Sequence, residues 1–389
     1  MKKQPNVLFI IADQQRADHV GCMGNEVVRT PNIDAVAQGG TIFGNAWVSN
    51  PVCMPNRSTI MTGRMPTAHG VIFNDRTLDW GSNTFVRQFR QAGYRTGLIG
   101  KSHLQHGMSK NSVVPFRGQA AYATAHPEGW DQIEDFERYM DSVPSPVEDF
   151  YGFNHIELSI DHGARLTGHH LQWALENGAN KEDVFVEYDE TAPGKNRSEH
   201  WWQIYQPPYD PKFHSTNFVT ERTIDFITNA NSAGEPWFAW CSFPDPHHPM
   251  TPPGEWFHRH AAKDMVLPES RVDTLDDAPK HLRLNRQTHP SEQRNWVAPC
   301  GYGSDELLRE AIAATYGMVE MIDDGVGRVT KQLEALGIAE DTIIVYTSDH
   351  GDMMGDHGLF LKGFMHYAGL CKYPWLSKFL MSHRYVQTS

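Results

Sequence analysis

Val7-Leu8-Phe9-Ile10-Ile11-Ala12, running straight into Asp13-Gln14, is the stretch on which the reading of this chain turns. An unbroken apolar run of this length suits a strand covered on both faces, the usual state of a parallel sheet. Three more runs have the same character: Thr96-Gly97-Leu98-Ile99, Trp237 to Phe243, and Thr342 to Thr347. Between them lie helical patterns over 32–38, after Thr30-Pro31, over 83–92, closed by Gly93, over 218–229, and over 305–336, closed by Gly337. The last spaces Leu307, Leu308, Ile312, Tyr316, Val319, Ile322 and Val326 on one helical face. Strand and helix in alternation predict an α/β fold, a large, mostly parallel sheet flanked by helices.

Each run ends in polar residues. Ala12 leads to Asp13-Gln14, Ile99 to Gly100-Lys101-Ser102-His103, Phe243 to Asp245-Pro246-His247-His248, and Thr347 to Asp349-His350-Gly351-Asp352. Open α/β sheets bind ligands outside the carboxyl ends of their strands, so four such loops predict one shared site. Asp13, Gln14, Asp349 and His350 offer two carboxylates, an amide oxygen and an imidazole, a donor set for Ca²⁺, Mg²⁺ or Mn²⁺. Lys101, His103, His247 and Lys362 offer positive charge and proton donors for an anionic substrate and its leaving group.

Composition narrows the classes. Across 389 residues, 34 Lys and Arg face 47 Asp and Glu, a formal charge of −13. That balance argues against a nucleic-acid or anionic-membrane partner. Apolar residues at 40% and charged residues at 21% describe a globular chain. The five cysteines are scattered and never spaced C-x-x-C, which argues against a disulfide framework or zinc ribbon. The apolar run after Lys2-Lys3 is shorter than a signal-peptide core, so the expected location is cytoplasmic. Gly100-Lys101-Ser102 mimics the end of a P-loop, but Arg95 stands where that motif needs glycine; G-x-S-x-G and H-E-x-x-H are absent. The stretches 109–206 and 249–302, rich in Pro, Gly, His and Trp, read as pocket-forming insertions.

The most specific segment is Cys53-Met54-Pro55-Asn56-Arg57-Ser58-Thr59 with Thr62-Gly63-Arg64. It resembles the sulfatase signature C-x-P-x-R followed by T-G-R. The resemblance extends through Asn6 to Gln14, Thr30 to Asp34, Gly93-Tyr94, Gly100-Lys101, Pro246 to Pro249 and Ser348 to Gly351, to about residue 370. It implies an alkaline-phosphatase-like fold and a catalytic domain over 1–370. It also implies that a formylglycine-generating maturation enzyme oxidises Cys53 to formylglycine. The hydrated aldehyde, bound to one divalent metal, would attack a small sulfate ester through a covalent sulfo-enzyme intermediate. By position, Asp13, Gln14, Asp349 and His350 resemble the metal ligands, with Cys53 contributing. Arg57 resembles the arginine holding the nucleophile and metal-site charge, and Lys101 and His103 match a K-x-H pair. In that pair, His103 takes the proton that expels sulfate. His247 and Lys362 match the groups that bind sulfate oxygens and protonate the leaving alcohol, with His248 a rival to His247. Asn74 adds a contact to the anion.

Two departures matter. Gln14 with His350 makes the metal site more nitrogenous, moves preference toward Mn²⁺ over Ca²⁺, and resembles the phosphonate monoester hydrolase and phosphodiesterase branch; Lys101 and His103 look more like a sulfatase. Family members also usually continue into a small C-terminal sheet, whereas this chain ends 27 residues after Lys362, with residues 371–389 an atypical tail. On that reading the small sheet is largely absent, and the exposed face predicts a homo-oligomer or a marginally stable protein. A truncated, non-catalytic remnant is the alternative.

Overall fold

The computed structural model describes residues 4–74, 76–106, 126–292 and 299–378. Residues 109–125 and 293–298 of the expected insertions, and 379–389 of the tail, lie outside these. The apolar runs are strands: β1 (Asn6–Ala12), β3 (Arg95–Gly100), β5 (Trp237–Phe243) and β7 (Thr342–Ser348). They join β2 (Thr41–Ile42), β4 (His155–Leu158) and β9 (Trp375–Lys378) in one sheet of order β2-β9-β7-β1-β5-β3-β4. From β7 to β4 every pairing is parallel, and β9 runs antiparallel to both β7 and β2. A separate two-stranded antiparallel sheet pairs β6 (Cys300–Gly301) with β8 (Leu359–Phe360).

The alternation of β1 divides the core. Leu8, Ile10 and Ala12 pack with Ile33 and Val36 of helix α1 (Pro31–Gln38), Phe218 and Phe226 of α5 (Ser215–Ser232), and Ile322 and Val326 of α6 (Asp305–Ala335). Val7, Phe9 and Ile11 face the other layer, with Met54 and Met61 of α2 (Cys53–Thr62) and Val86 of α3 (Phe85–Gln91). That layer is aromatic: Phe9 stacks on Trp240 at 4.7 Å, and Phe89 on Phe238 at 4.9 Å. Helices on both faces explain why these strands carry no polar face.

Trp375–Lys378 pairs with β7, and Leu376 is fully buried in the main core. The first insertion also contributes β4 to the sheet and α4 (His169–Glu176) against it. All five cysteines are free. Among the described residues, no helix is long and apolar enough to cross a membrane.

The register brings the strand ends level. Ala12 lies opposite both Phe243 and Ser348, and Gly100 opposite Ser242 and Leu158. Hydrogen bonds carry this alignment past the strands: Asp13 N–H to Asp245 O at 3.0 Å, Lys101 N–H to Ser242 O at 3.0 Å, and Asp349 N–H to Ala12 O at 3.2 Å. Gly100 is required where β3 turns into Lys101, because its φ is +100° and a Cβ there would lie 1.9 Å from Ser242 O.

Candidate active site

At this edge Cys53 opens α2, fully buried, with Val52 in extended conformation before it. Its Sγ lies 3.0 Å from Lys362 Nζ, 3.1 Å from His350 Nε2 and 3.6 Å from Asp13 Oδ1. Burial and the Asp13 carboxylate push the thiol up, but Lys101, Lys362 and His350 outweigh them and leave it below its ordinary value. The N-terminus of α2 adds a partial positive charge at the same point. The first turn is held from outside: Asn74 Oδ1 accepts from Met54 N–H at 3.1 Å, and Asn56 Nδ2 donates to Asp349 O at 2.6 Å. Asn74 therefore supports the backbone that carries Cys53.

Asp13, Cys53, Asp349 and His350 present one ligand atom each, all within 4.8 Å of one another. One oxygen of each carboxylate is engaged elsewhere: Asp13 Oδ2 by Lys101 Nζ, and Asp349 Oδ2 by Arg57 Nε at 2.7 Å. The other oxygens face the shared point, Asp13 Oδ1 at 3.8 Å and Asp349 Oδ1 at 3.7 Å from His350 Nε2. His350 Nδ1 lies 2.8 Å from Gly351 O; donating a proton there turns the Nε2 lone pair to the cluster. Gln14 follows Asp13, and its backbone N–H donates to Asp349 Oδ1 at 3.0 Å. Its Nε2 donates to Asp352 Oδ2 and lies 3.2 Å from His248 Nδ1, and its Oε1 is buried with no hydrogen-bond partner. Two carboxylate oxygens, an imidazole nitrogen and an orphaned amide oxygen fit a divalent cation.

Arg57 is fully buried. Besides Asp349 it reaches Lys101 O at 2.9 Å and Ser242 Oγ at 3.0 Å. It holds the metal-site carboxylate and the β3 and β5 ends together, and influences Cys53 through its charge. Burial alone would raise the Asp13 carboxyl; the surrounding positive charge, Lys101 foremost, holds it well below the usual range.

Both histidines of the Pro246 to Pro249 element are buried, facing different partners. His247 Nε2 lies 2.7 Å from Lys362 Nζ, which ties it to the Cys53 side, whereas His248 meets Gln14. His103 is apart. Its φ is +55°, its backbone N–H donates to Glu134 at 2.7 Å, and its Nδ1 has no hydrogen-bond partner. A further imidazole touches Lys101: its Nζ contacts His162 Nε2, which is also 3.3 Å from Asp13 Oδ2. The His162 ring stacks on His247 at 3.8 Å. Sequence reading missed His162 because β4 was not recognised as a strand; the rule that polar residues follow strand ends applies to Ser159-Ile160-Asp161-His162 as well.

A sequence model of the sulfatase family matches residues 5–377 of this chain. The chain belongs to the sulfatase family. This family member is 32% identical over 373 residues to an arylsulfatase of Clostridium perfringens, covering 95% of this chain and 68% of that protein. It is 30% identical over 375 residues to the uncharacterized sulfatase YidJ of Escherichia coli, covering 96% and 62%. The solved phosphonate monoester hydrolase of Agrobacterium radiobacter superposes with a TM-score of 0.71 at 25% identity, over 97% of this chain and 68% of that one. The sulfatase chain thus spans between three-fifths and seven-tenths of these relatives' lengths.

Proposed function

We propose that this protein hydrolyses sulfate esters, with Cys53 matured to formylglycine as the nucleophile and one divalent cation held by Asp13, Gln14, Asp349 and His350. The observation that carries the reading is the convergence of Lys362, His350 and Asp13 on Cys53 Sγ within 3.6 Å, from strand ends far apart in sequence. A formylglycine hydrate supplies an oxygen nucleophile, and a divalent cation supplies Lewis acidity that lowers the pKa of a bound hydroxyl.

The chain's own groups then have distinct tasks. Arg57 ties down Asp349 and offsets the negative charge gathered around Cys53. Lys101, Lys362 and the N-terminus of α2 form the positive wall toward which sulfuryl oxygens orient, in a buried setting where such charge is worth most. Asp13 keeps Lys101 in place through Oδ2 while Oδ1 remains toward the cation position. The Lys362–His247 pair, in which the ammonium donates to Nε2, supplies the proton that the departing alcohol oxygen takes up as the ester S–O bond breaks. Water consumed in the cycle leaves the products as alcohol and sulfate.

The second reading, phosphonate monoester or phosphodiester hydrolysis on the same residues, is favoured by Gln14 and His350 in the donor set and by the likeness to the Agrobacterium enzyme. Co-production with a formylglycine-generating enzyme tests the nucleophile: the tryptic peptide from Thr30 to Arg57 should carry an aldehyde in place of the Cys53 thiol. An aryl sulfate should then turn over faster than the matching aryl phosphonate monoester. A retained thiol would remove the nucleophile, and faster phosphonate hydrolysis would favour the second reading.

A further inference from the structure

His162 enters the site from a loop with no part in the sulfatase signature. Its segment leaves β4 while still bonded to the sheet, with Ser159 N–H on Gly100 O at 3.1 Å, and returns to pair Ser159 with Gly168. Inside this turn Asp161 N–H donates to Thr167 Oγ1 at 3.1 Å. The His162 backbone is gripped from both sides by the Tyr188 hydroxyl, which accepts from N–H at 2.9 Å and donates to the carbonyl at 3.1 Å. Gly163 follows at φ +60°, where a Cβ would stand 3.0 Å from Pro249 O and 3.1 Å from Pro249 Cβ. The turn is thus fitted against the element that carries His247 and His248, and only a side-chain-free residue allows that approach. A loop restrained at both ends and in its middle holds one ring geometry.

Within the site, Lys101 Nζ contacts Asp13 Oδ2 and His162 Nε2. An ammonium group has donors only, so His162 Nε2 accepts and the ring proton sits on Nδ1. Asp13, His162 and His247 are close enough to suggest a second cation position. That position is already served by ammonium groups, Lys101 on His162 and Lys362 2.7 Å from His247 Nε2, so a divalent ion there would meet two like charges.

We propose that His162 is a positioning residue of the anion pocket: it accepts from Lys101 Nζ and packs flat on His247, fixing both groups toward the face where the sulfuryl oxygens of the substrate lie. This rests on the sulfate-ester reading. A carboxylate alone leaves a lysine free to swing about its flexible stem, whereas a second acceptor at a fixed angle selects one orientation. On this assignment the first insertion supplies an imidazole partner of Lys101.

Calorimetric titration with inorganic sulfate, backed by aryl sulfate kinetics, tests the role. His162→Ala should weaken sulfate binding and raise KM for the aryl sulfate by about tenfold, as expected for loss of a charge-positioning hydrogen bond. His162→Asn, whose side-chain oxygen can still accept from Lys101, should recover most of the affinity, with melting temperatures of both variants close to the parent's. Parental affinity in His162→Ala, or an Asn variant as weak as the Ala variant, would overturn the proposal while leaving the sulfate-ester reading intact. Absence of sulfate binding by the parent protein would overturn that reading first. Nitrogen-15 NMR of histidine-labelled protein provides a check independent of turnover. His162 should show the Nδ1–H tautomer and lose its Nε2 acceptor signature in Lys101→Met; an Nε2–H tautomer in the parent would refute the pairing.

Discussion

Two buried acidic clusters of this protein have opposite characters. Asp323, on α6, accepts from Asn32 N–H at 2.9 Å, Ile33 N–H at 2.8 Å and Asn32 Nδ2 at 2.7 Å, and so caps the start of α1. Its oxygens are used up by neutral donors from one neighbouring helix. Asp13 and Asp349, at the carboxyl edge of the sheet, each give one oxygen to a cationic side chain and keep the other near Cys53 and His350. Around them Lys101, Lys362 and Arg57 crowd like charges together, and Gln14 Oε1 has no partner. A saturated cluster stabilises the fold, while an unsaturated, crowded one stores capacity for a ligand. Fold and function in this sulfatase rest on separate carboxylates.

That separation can be broken by mutation and metal removal, which should divide activity from stability. The largest effect belongs to Cys53→Ala, which removes the nucleophile: aryl sulfate turnover should fall by at least about 10³-fold, with circular dichroism unchanged. Retained turnover would show that the chemistry lies elsewhere. Next, Lys362→Met should lower kcat/KM by about 10²–10³-fold, the scale of a lost oxyanion donor. Comparable losses in melting temperature and activity would instead give Lys362 a structural role. Stripping divalent ions with a chelator should abolish turnover, and Mn²⁺ or Ca²⁺ should restore it, while the far-ultraviolet spectrum stays constant. Asp323→Ala should do the reverse, lowering unfolding free energy by about 2–3 kcal/mol through three donors left without an acceptor, with kcat/KM per folded molecule within about twofold. An activity loss greater than that would merge the two clusters into one network.

The smallest effect sharpens the same contrast through pH. His170 is buried, stacked on Phe218 at 4.6 Å, with Nε2 2.7 Å from Phe213 O, and burial pushes its pKa down to about 3. Because the folded value lies below the unfolded one, near 6.5, its contribution is intact above neutrality and declines as pH falls. Between pH 7.5 and 5.5 the loss is about 1.4 kcal/mol. Denaturant melts of His170→Gln over this range should show a correspondingly shallower pH dependence than the parent, and an unchanged slope would refute the assignment.

Much of the fold was legible because a strand buried on both faces must be apolar throughout. Trp237–Phe243 and Asn6–Ala12 meet that condition at all but Ser242 and Asn6, and their carboxyl ends fell where expected. The edge strands evaded the same reading. His155–Leu158 buries only Leu158, with His155 and Glu157 half-buried and Glu157 paired with Arg222; Trp375–Lys378 buries only Leu376. Four residues with a single buried position leave no periodic signal. The site divided likewise: Asp13, Gln14, Cys53, Arg57, Lys101, His247, Asp349, His350 and Lys362 converge, whereas His103 lies beside the cluster and His162 within it.

The sequence by itself determined the α/β alternation, the polar strand ends and the sulfatase signature, because each is written in residues close together along the chain. Only the tertiary structure decided which imidazoles serve the site. His162 and Lys101 lie 61 residues apart and meet because β3 pairs with β4, while His247 and Lys362 lie 115 apart and meet because the chain returns past β7. Such meetings depend on strand register and on how closely backbones approach, at Gly100 and Gly163 above all, and these are set by packing between segments distant in sequence.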